Sequence, residues 1–204
     1  MTVVSNRKQG PSTRRIEVSD GSFFLLPEDS PLLPGLRAHT DVSAALHSLL
    51  QEESARHERT LVRLKMLDLL GRREHSGQEL TRKLIQRGYD SLLVDEVLRE
   101  FREAGYVDDY RFARAFIESR LRRRPEGRTV LSARLSRCGV DRHIIDEVLE
   151  ELLDDQTESD ALSRAFDKVK LSTHDPEKQI VRLVRKGFSY AAVRAYIRRR
   201  NPDD

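Results

Sequence analysis

The strongest constraint on the fold of this chain is a pattern that occurs three times, each time centred on a glycine: Gly88, Gly139 and Gly187. In every copy, a residue that can begin a helix stands twelve positions before the glycine, a leucine stands four positions before it, and an apolar residue follows it. The matched residues are Ser76, Leu80, Leu84 and Tyr89; Gly127, Leu131, Leu135 and Val140; and Asp175, Gln179, Leu183 and Phe188. Leucines four positions apart before a glycine are typical of an amphipathic helix that ends at a left-handed cap. The pattern therefore predicts a helix that stops at each glycine.

A further helix is predicted on either side of each of these helices. Asp90, Asp141 and Ser189 stand two positions after the three glycines, where their side chains can cap the next helix. Apolar residues then recur six, nine and ten positions beyond each glycine: Val94, Val97 and Leu98; Ile145, Val148 and Leu149; Val193, Tyr196 and Ile197. The segments ahead of the three copies are also apolar at helical spacing: Leu61, Leu64, Leu67 and Leu70; Phe112, Ala115 and Phe116; Leu162, Ala165, Phe166 and Val169. Each copy is thus predicted to be a three-helix unit that depends on its neighbours for stability.

Two of the helix starts carry explicit capping signals. Ser76 with Glu79 fits a capping box, in which the serine side chain accepts a hydrogen bond from the backbone three residues later. Asp175 followed by Pro176 fits an N-cap with proline at the first helical position. Gln179 stands where the other two copies have leucine, so looser packing is predicted for the middle helix of the third copy.

The composition supports small helical units rather than one large core. Of 204 residues, 38% are hydrophobic and 35% are charged, whereas an average domain is nearly half apolar and about a quarter charged. The predicted fold is therefore mainly α: three tandem three-helix repeats, at 58–108, 109–155 and 156–204, that form an elongated, curved rod.

The N-terminal segment, residues 1–57, is expected to differ from the repeats. Residues 1–13 are polar with glycine and proline and are predicted to be disordered. Strand-forming residues flank Ser19-Asp20-Gly21, which predicts a small β-hairpin over about 14–26. Residues 27–40 contain three prolines and predict an irregular linker, after which residues 41–56 begin a helix that leads into the first repeat.

Several classes of protein are disfavoured by what the sequence lacks. No apolar run has the length of a signal peptide or a membrane span, which predicts a soluble cytoplasmic protein. Cys138 is the only cysteine, and the six histidines (39, 47, 57, 75, 143 and 174) show no paired ligand spacing, so no metal is expected. Nucleotide-binding and nucleophile motifs are absent from the sequence. We therefore expect no enzymatic activity, no cofactor and no small-molecule substrate.

Asp108 and Asp109 are the one carboxylate pair that could suggest acid–base chemistry. They lie between Gly105, a predicted helix stop, and the apolar-periodic segment that begins at Phe112. An aspartate in that position is more simply explained as an N-cap or as a partner of the helix dipole. The structural interpretation is therefore preferred over the catalytic one.

The positive charge of the chain is carried almost entirely by arginine, with 30 Arg against 7 Lys. The guanidinium group of arginine forms paired hydrogen bonds with carboxylates and phosphates, which favours an acidic partner or a nucleic acid, although codon bias could produce the same ratio.

The charged residues are also segregated into blocks along the chain. Residues 110–124 carry six Arg and one Glu, residues 144–160 carry eight acids and no Lys or Arg, and residues 176–200 carry eight bases and one Glu. Such blocks can be solvated faces or intramolecular partners, but they also suit docking to a charged, repeating surface such as a nucleoprotein filament.

A glycine-centred turn between two helices also resembles a DNA-reading helix-turn-helix. Charge argues against this interpretation for the first two copies, because residues 90–103 carry five acids against two bases and residues 141–155 carry seven against one. Attraction to phosphate supplies most non-specific DNA affinity, so these helices would be repelled. Only the third copy, residues 189–200, could approach DNA.

Residues 58–200 resemble the RecX family of regulatory proteins. Three stretches carry the resemblance: Ser76-x-x-Glu-Leu80-x-x-Lys-Leu84-x-x-x-Gly88-Tyr89, then Gly105-Tyr-Val-Asp-Asp-x-Arg-Phe-Ala113, and Gly127 with Leu135-x-x-x-Gly139-Val140. The second stretch is the most specific of the three. The N-terminal hairpin is similar to the variable leading segment that some members carry.

The resemblance implies a non-enzymatic modulator of the RecA recombinase. Family members bind RecA or its filament on single-stranded DNA and typically suppress its ATPase, strand-exchange and co-protease activities, which places them in DNA repair by homologous recombination and in the SOS response. The rod is then expected to lie along a groove of the filament, with weak patches adding through effective concentration.

The family supplies no motif for the contact residues, so we predict them from charge and position. The predicted contacts with RecA or DNA phosphate are Arg122, Arg123, Arg124, Lys186, Arg194, Arg198, Arg199 and Arg200. Two other classes stay open: a direct DNA-binding protein that uses the third repeat, with at least weak contact to single-stranded DNA, and a scaffold for some other protein.

Overall fold

The computed structural model describes residues 1–173 and 175–200 of the chain. His174 and residues 201–204, which fall in the predicted third repeat, lie outside the described residues. The described residues divide into two compact units, of which the first comprises residues 1–68 and 88–97 and the second comprises the remaining described residues.

A three-stranded antiparallel sheet begins the first unit. Its strands are β1 (Val3–Lys8), β2 (Thr13–Val18) and β3 (Phe23–Pro27), in the order β1-β2-β3. The predicted hairpin is confirmed as the β2–β3 pair, in which Ile16 faces Phe24. The predicted disorder of residues 1–13 is wrong, because β1 pairs with β2 and the Asn6 side chain donates a hydrogen bond to the carbonyl of Leu36 at 2.9 Å. This polar edge strand buries only one residue, Val3, so it has no apolar periodicity that could identify it.

One face of the sheet supplies the core of the first unit. The buried apolar residues of that core are Val3, Ile16, Val18, Phe24, Leu26, Leu36, Val42 and Leu50. Residues 28–43 are irregular apart from one 3-10 turn, Leu33–Gly35, as the prolines of the predicted linker indicate.

Nine α-helices follow in the part of the chain that the structure describes. They are α1 (Ala44–Leu70), α2 (Gly77–Ile85), α3 (Ser91–Glu103), α4 (Asp109–Arg123), α5 (Arg128–Arg137), α6 (Arg142–Leu152), α7 (Asp155–Lys170), α8 (Pro176–Arg185) and α9 (Tyr190–Arg200). The mainly α fold class with a small N-terminal sheet is therefore confirmed. The leading helix and the first helix of the predicted first repeat are one continuous 27-residue helix, α1.

The apolar stripe predicted for α1 is wrong in detail. Leu64 and Leu67 are exposed, whereas Val62, Met66 and Leu69 are buried. Both sets have helical spacing, and the helix is polar enough on every side that the sequence pattern does not distinguish them. Tertiary packing selects the buried set. Similarly, Ala115 of α4 is exposed, and Ala113 and Ile117 are buried instead.

The three glycine stops and the helix starts are confirmed. Gly88, Gly139 and Gly187 have φ angles of 86°, 77° and 94°, in the left-handed region that glycine adopts without a Cβ clash. Ser76, Gly127 and Asp175 are the N-caps of α2, α5 and α8. The side chains of Asp90 and Ser189 accept hydrogen bonds from Leu93 and Ala192 as predicted, whereas Asp141 precedes α6 without a side-chain capping bond.

The second unit has a continuous apolar core built from α4 to α9. Its buried residues include the matched repeat positions Leu131, Leu135, Val140, Ile145, Val148, Leu149, Leu183, Phe188, Val193 and Ile197. Gln179, the departure from the repeat pattern, is only 4% exposed, and its side-chain amide donates to the carbonyl of Thr173 at 2.9 Å. The polar substitution is therefore accommodated by a hydrogen bond at a buried position.

Candidate partner-binding site

The predicted basic cluster Arg122, Arg123 and Arg124 lies at the C-terminal end of α4, and all three side chains are exposed. Cations are favourable there because the last turn of a helix carries a partial negative charge. Consecutive helical residues point in different directions, so the three side chains separate. Arg123 and Arg124 line a cleft, and Arg122 is not among the residues that line it.

This cleft has a volume of about 820 Å³ and is lined by arginines from α2, α4 and α5, from the residue that ends α4, and from the loop before α2. We call it the arginine cleft and define it by its lining residues: Arg73, Glu74, Glu79, Arg82, Phe112, Ala115, Phe116, Ser119, Arg120, Arg123, Arg124, Arg134, Arg137 and Cys138. Five of its seven arginines were not among the predicted contact residues. The i, i+3 spacing of Arg134 and Arg137 was visible in the sequence, but which helix faces them was not.

The geometry of the arginine cleft depends on a contact between the start of α2 and the end of α5. The Ser76 hydroxyl accepts from the backbone N–H of Glu79 at 3.1 Å and donates to the carbonyl of Cys138 at 2.5 Å. The predicted capping serine therefore has a second role, since it fixes one wall of the cleft against the other.

Two nearly buried glutamates each hold one arginine of the cleft. Glu79 lies 2.9 Å from a guanidinium nitrogen of Arg73, and Glu126 lies 2.9 Å from Nε of Arg134. Each pair also contains an aligned hydrogen bond, from Nη2 of Arg73 at 3.3 Å and from Nη2 of Arg134 at 2.9 Å. The carboxylates are nearly buried and the guanidinium groups about half-exposed, so each fixed carboxylate positions its arginine at the wall of the cleft.

The remaining arginines are not neutralised in this way. Among the described residues, no carboxylate forms an ion pair with Arg82, Arg120, Arg123, Arg124 or Arg137. The guanidinium group of Arg120 instead lies over the ring of Phe116, 5.2 Å from its centroid. The cleft therefore keeps a large positive excess.

Cys138 lines the same cleft as these arginines. Burial raises the pKa of its thiol, and the carboxylate of Glu79 adds to that effect. The positive charges of Arg82, Arg73 and Arg120 act in the opposite direction, so guanidinium groups from three elements lie near the same sulfur atom.

A buried histidine supports the loop before α2. His75 is 2% exposed, its Nδ1 lies 3.0 Å from the carbonyl of Arg73, and its Nε2 lies 2.7 Å from Nζ of Lys83. A carbonyl and an ammonium group can both be satisfied only by a neutral ring with the proton on Nδ1. Burial lowers the pKa of His75, and it also lowers the pKa of Lys83.

The carboxylate pair Asp108 and Asp109 has the predicted structural role. Asp108 caps α4 by accepting hydrogen bonds from the backbone of Tyr110 and Arg111 at 2.8 and 3.0 Å. Asp109 accepts from the backbone N–H of Gly77 at 2.9 Å and from Arg102 at 3.1 Å. Asp108 thus caps its own helix, and Asp109 joins α4 to the start of α2 and to α3.

The predicted contact residues of the last repeat do not line the arginine cleft. Lys186 is the C-cap residue that follows α8, and it is half-buried. Its backbone carbonyl accepts a hydrogen bond from the N–H of Gly127 at 2.8 Å. Arg194, Arg198 and Arg199 are exposed on α9. Arg200 lies 3.5 Å from Asp167 and donates to the hydroxyl of Tyr196 at 2.6 Å. We call the exposed arginines at 194, 198 and 199, with Arg200, the α9 basic face.

Among the described residues, no group of three or more histidine, cysteine, aspartate or glutamate side chains is arranged to hold a metal ion. In the same part of the chain, no helix combines the length and apolarity that crossing a membrane requires.

Comparison with known proteins gives one consistent family. Residues 63–101 match the family model of the first three-helix domain of RecX, and residues 108–149 match that of the second. The chain is 36% identical over 149 residues to the regulatory protein RecX of Halorhodospira halophila, covering 70% of this chain and 90% of that protein. It is 33% identical over 127 residues to that of Chlorobium phaeobacteroides, covering 62% and 84%.

Solved structures support the same fold. A crystal structure of a regulatory protein RecX matches 94% of this chain and 96% of its own length with a TM-score of 0.63 at 16% identity. The crystal structure of RecX from Lactobacillus salivarius matches 71% of this chain and 97% of its own length with a TM-score of 0.62 at 19% identity. Identities this low establish shared architecture and leave individual residues unassigned.

Proposed function

Because this chain belongs to the RecX family of regulatory proteins, we propose that it binds the RecA recombinase, or the RecA filament on single-stranded DNA, and lowers its activity. The family membership is the observation that carries the proposal. The affected activities are DNA-dependent ATP hydrolysis, strand exchange and co-protease function, and the effect arises from hindered filament growth or promoted disassembly.

The contacts proposed for this function are the basic residues predicted from the sequence. Those residues are Arg122, Arg123 and Arg124 on α4, Lys186 at the end of α8, and Arg194, Arg198, Arg199 and Arg200 on α9. Exposure of the arginines supports the assignment, since a charge must be accessible to meet acidic protein or DNA phosphate. Patches on successive repeats contact successive RecA protomers, so individually weak contacts add through a high effective concentration.

The test is inhibition of the single-stranded-DNA-dependent ATPase of RecA by three forms of the full chain. The first is wild type, the second is R198E/R199E/R200E, and the third is R56E/R87E/R142E, which changes net charge equally at exposed sites outside the proposed contacts. We expect wild type to inhibit, the α9 variant to need at least tenfold more protein for half-inhibition, and the control variant to stay within twofold of wild type.

Two results would contradict the proposal at different levels. If a folded α9 variant inhibits as well as wild type, the contact assignment on α9 is wrong while the function stands. If wild type neither changes the ATPase nor sediments with RecA filaments, the function itself is wrong. Circular dichroism and thermal melting establish that each variant is folded.

Direct DNA binding through α9 is a second candidate function. Between Tyr190 and Arg200 this helix contains no acid, and the small residues Ala191 and Ala195 are exposed beside Arg194 and Arg198. Fluorescence anisotropy with labelled single strands, with and without RecA, separates the two candidates. Direct binding requires no RecA and weakens steeply as salt rises, because each phosphate contact releases counterions.

A further inference from the structure

The arginine cleft carries more positive charge than its own carboxylates neutralise. Glu79 and Glu126 each hold one arginine, and Glu74 is held by Arg111, which lies outside the lining, at 2.7 Å. The other guanidinium groups on the walls have no carboxylate partner among the described residues. Like charges gathered in a concave site repel one another and focus a positive field into the cleft.

The arrangement of these charges suits a compact anion. Arg82 belongs to α2, Arg120 to α4 and Arg137 to α5, and all three line the same space. A single nucleic-acid strand calls for an extended groove that follows its backbone, whereas these charges line one cleft from three helices. The volume, about 820 Å³, lies within the range of roughly 300–1,000 Å³ that is usual for small-molecule sites.

The chemistry of the walls indicates phosphate. Guanidinium groups form paired hydrogen bonds to phosphate oxygens, and a chain of phosphates concentrates several negative charges in a volume that a peptide would fill with one or two carboxylates. Phe116 is half-buried at the cleft, where its ring can contact the base or sugar of a nucleotide.

We propose that the arginine cleft binds a small anion with several linked phosphate groups, of the nucleoside-triphosphate or inorganic polyphosphate class. The anion neutralises the guanidinium groups of Arg82, Arg120, Arg123, Arg124 and Arg137. It is a ligand that stabilises the second unit and is not turned over. This inference does not rest on a RecA partner.

The experiment measures binding of ATP and of tripolyphosphate to the full chain by isothermal titration calorimetry without divalent cations. The test variant is R82Q/R137Q, since both side chains are exposed and neither has a described carboxylate partner. The matched control is R122Q/R142Q, which removes the same charge from exposed arginines that do not line the cleft. We expect 1:1 binding to wild type, at least tenfold weaker binding to the test variant, and less than twofold change in the control.

A second variant, R123Q/R124Q, removes two charges that line the cleft at the end of α4 and should also weaken anion binding. This variant keeps the test decisive if the first variant does not fold.

Each outcome then decides the proposal. Equal affinity for ATP and tripolyphosphate supports it with inorganic polyphosphate as the source of the phosphates, and tighter binding of ATP supports it with a nucleotide as the source. Three outcomes overturn it: no binding of either anion at millimolar concentration, equal loss in the test and control variants, or binding of a (dT)15 strand or a hexaglutamate peptide while both small anions fail. The second of these would mean that only net charge matters, and the third that the cleft contacts a macromolecule.

Discussion

The arginine cleft and the α9 basic face use the same residue type in two different settings. In the cleft, the glutamates that pair with Arg73 and Arg134 are at most 9% exposed, whereas the one carboxylate paired with the α9 face among the described residues, Asp167, is half-exposed. A pair with a buried carboxylate stabilises the fold more than an exposed pair does, because the buried carboxylate has few water molecules to replace its partner; half-exposure of the arginine reduces that difference. The comparison teaches that Arg73 and Arg134 of the cleft are held by buried carboxylates, whereas no arginine of the α9 basic face has such a partner among the described residues.

The largest expected effect is at the backbone contact between the start of α5, whose later residues Arg134 and Arg137 line the cleft, and the turn before α9. A Cβ atom on Gly187 would lie 2.6 Å from the backbone nitrogen of Val130 and 2.9 Å from the carbonyl oxygen of Gly127, and its φ angle of 94° disfavours any other residue. G187A should therefore lower the free energy of unfolding by about 3 kcal/mol, from strain and overpacking together. Urea denaturation followed by circular dichroism measures this. G21A is the control, because that glycine also has a positive φ but a Cβ atom added to it would meet no other atom within 4 Å. A loss in G187A no larger than in G21A would show that the close backbone packing at Gly187 adds nothing to the strain of its positive φ angle.

The second-largest expected effect is at the ion pair between the nearly buried Glu126 and Arg134 of the cleft. E126A removes the carboxylate that holds Arg134 and leaves a half-buried guanidinium without its partner. We expect a loss of about 2 kcal/mol, reduced from the value for fully buried pairs because Arg134 is partly solvated. The matched control is D146A, which breaks the exposed pair between Arg142 and Asp146 and should cost less than about 0.5 kcal/mol. Equal losses of unfolding free energy in E126A and D146A would show that burial of the Glu126 carboxylate does not strengthen its ion pair.

A structural feature could be predicted from the sequence where it depends on residues close to one another along the chain. The glycine stops at Gly139 and Gly187 and the cap at Asp175 were correct because each depends on residues within one turn. Strand β1 was missed because its stability comes from pairing with β2, and the buried stripe of α1 was misassigned because packing selected Met66 over Leu67.

The same reasoning explains the outcome for the candidate site. Arg123 and Arg124 were identified from a run of charges along one helix. Arg73, Arg82 and Arg137 were missed because they come together only when α2 and α5 pack beside α4, which no spacing within one segment encodes. The predicted boundaries of the three repeats stay a prediction.

A smaller effect concerns pH and the loop that carries Arg73. Burial lowers the pKa of His75 below its ordinary value of 6.5, so below that pH the unfolded chain binds a proton that the folded chain resists. The stability contributed by the neutral ring is therefore complete above about pH 6.5 and is lost as the pH falls. Burial is the largest influence on the pKa of His75 and sets its direction; the carbonyl of Arg73 and the carboxylate of Glu79 raise that pKa, and the charges of Arg73 and Lys83 lower it.

The measurement for His75 is the free energy of unfolding between pH 5 and pH 8 for wild type and for H75N. Wild type should lose stability toward acid more steeply than the variant. Burial also lowers the pKa of His57 in the first unit, so H57N serves as the parallel case and part of the slope should persist in H75N. Identical slopes in wild type and H75N would mean that the ring is not held neutral by the fold.

The smallest effect is expected on the α9 basic face itself. Arg200 and Asp167 are 3.5 Å apart and both side chains are about half-exposed, so their coupling in a double-mutant cycle of R200Q and D167N should be below about 0.5 kcal/mol. Arg200 also lies over the rings of Phe166 and Tyr196 and donates to the tyrosine hydroxyl, so the R200Q change alone can cost more than the pair. A coupling energy of about 2 kcal/mol or more would show that Asp167 holds Arg200 as firmly as Glu126 holds Arg134. Arg200 would then belong with Arg73 and Arg134 as an arginine fixed by the fold, and the contacts proposed on α9 would reduce to Arg194, Arg198 and Arg199.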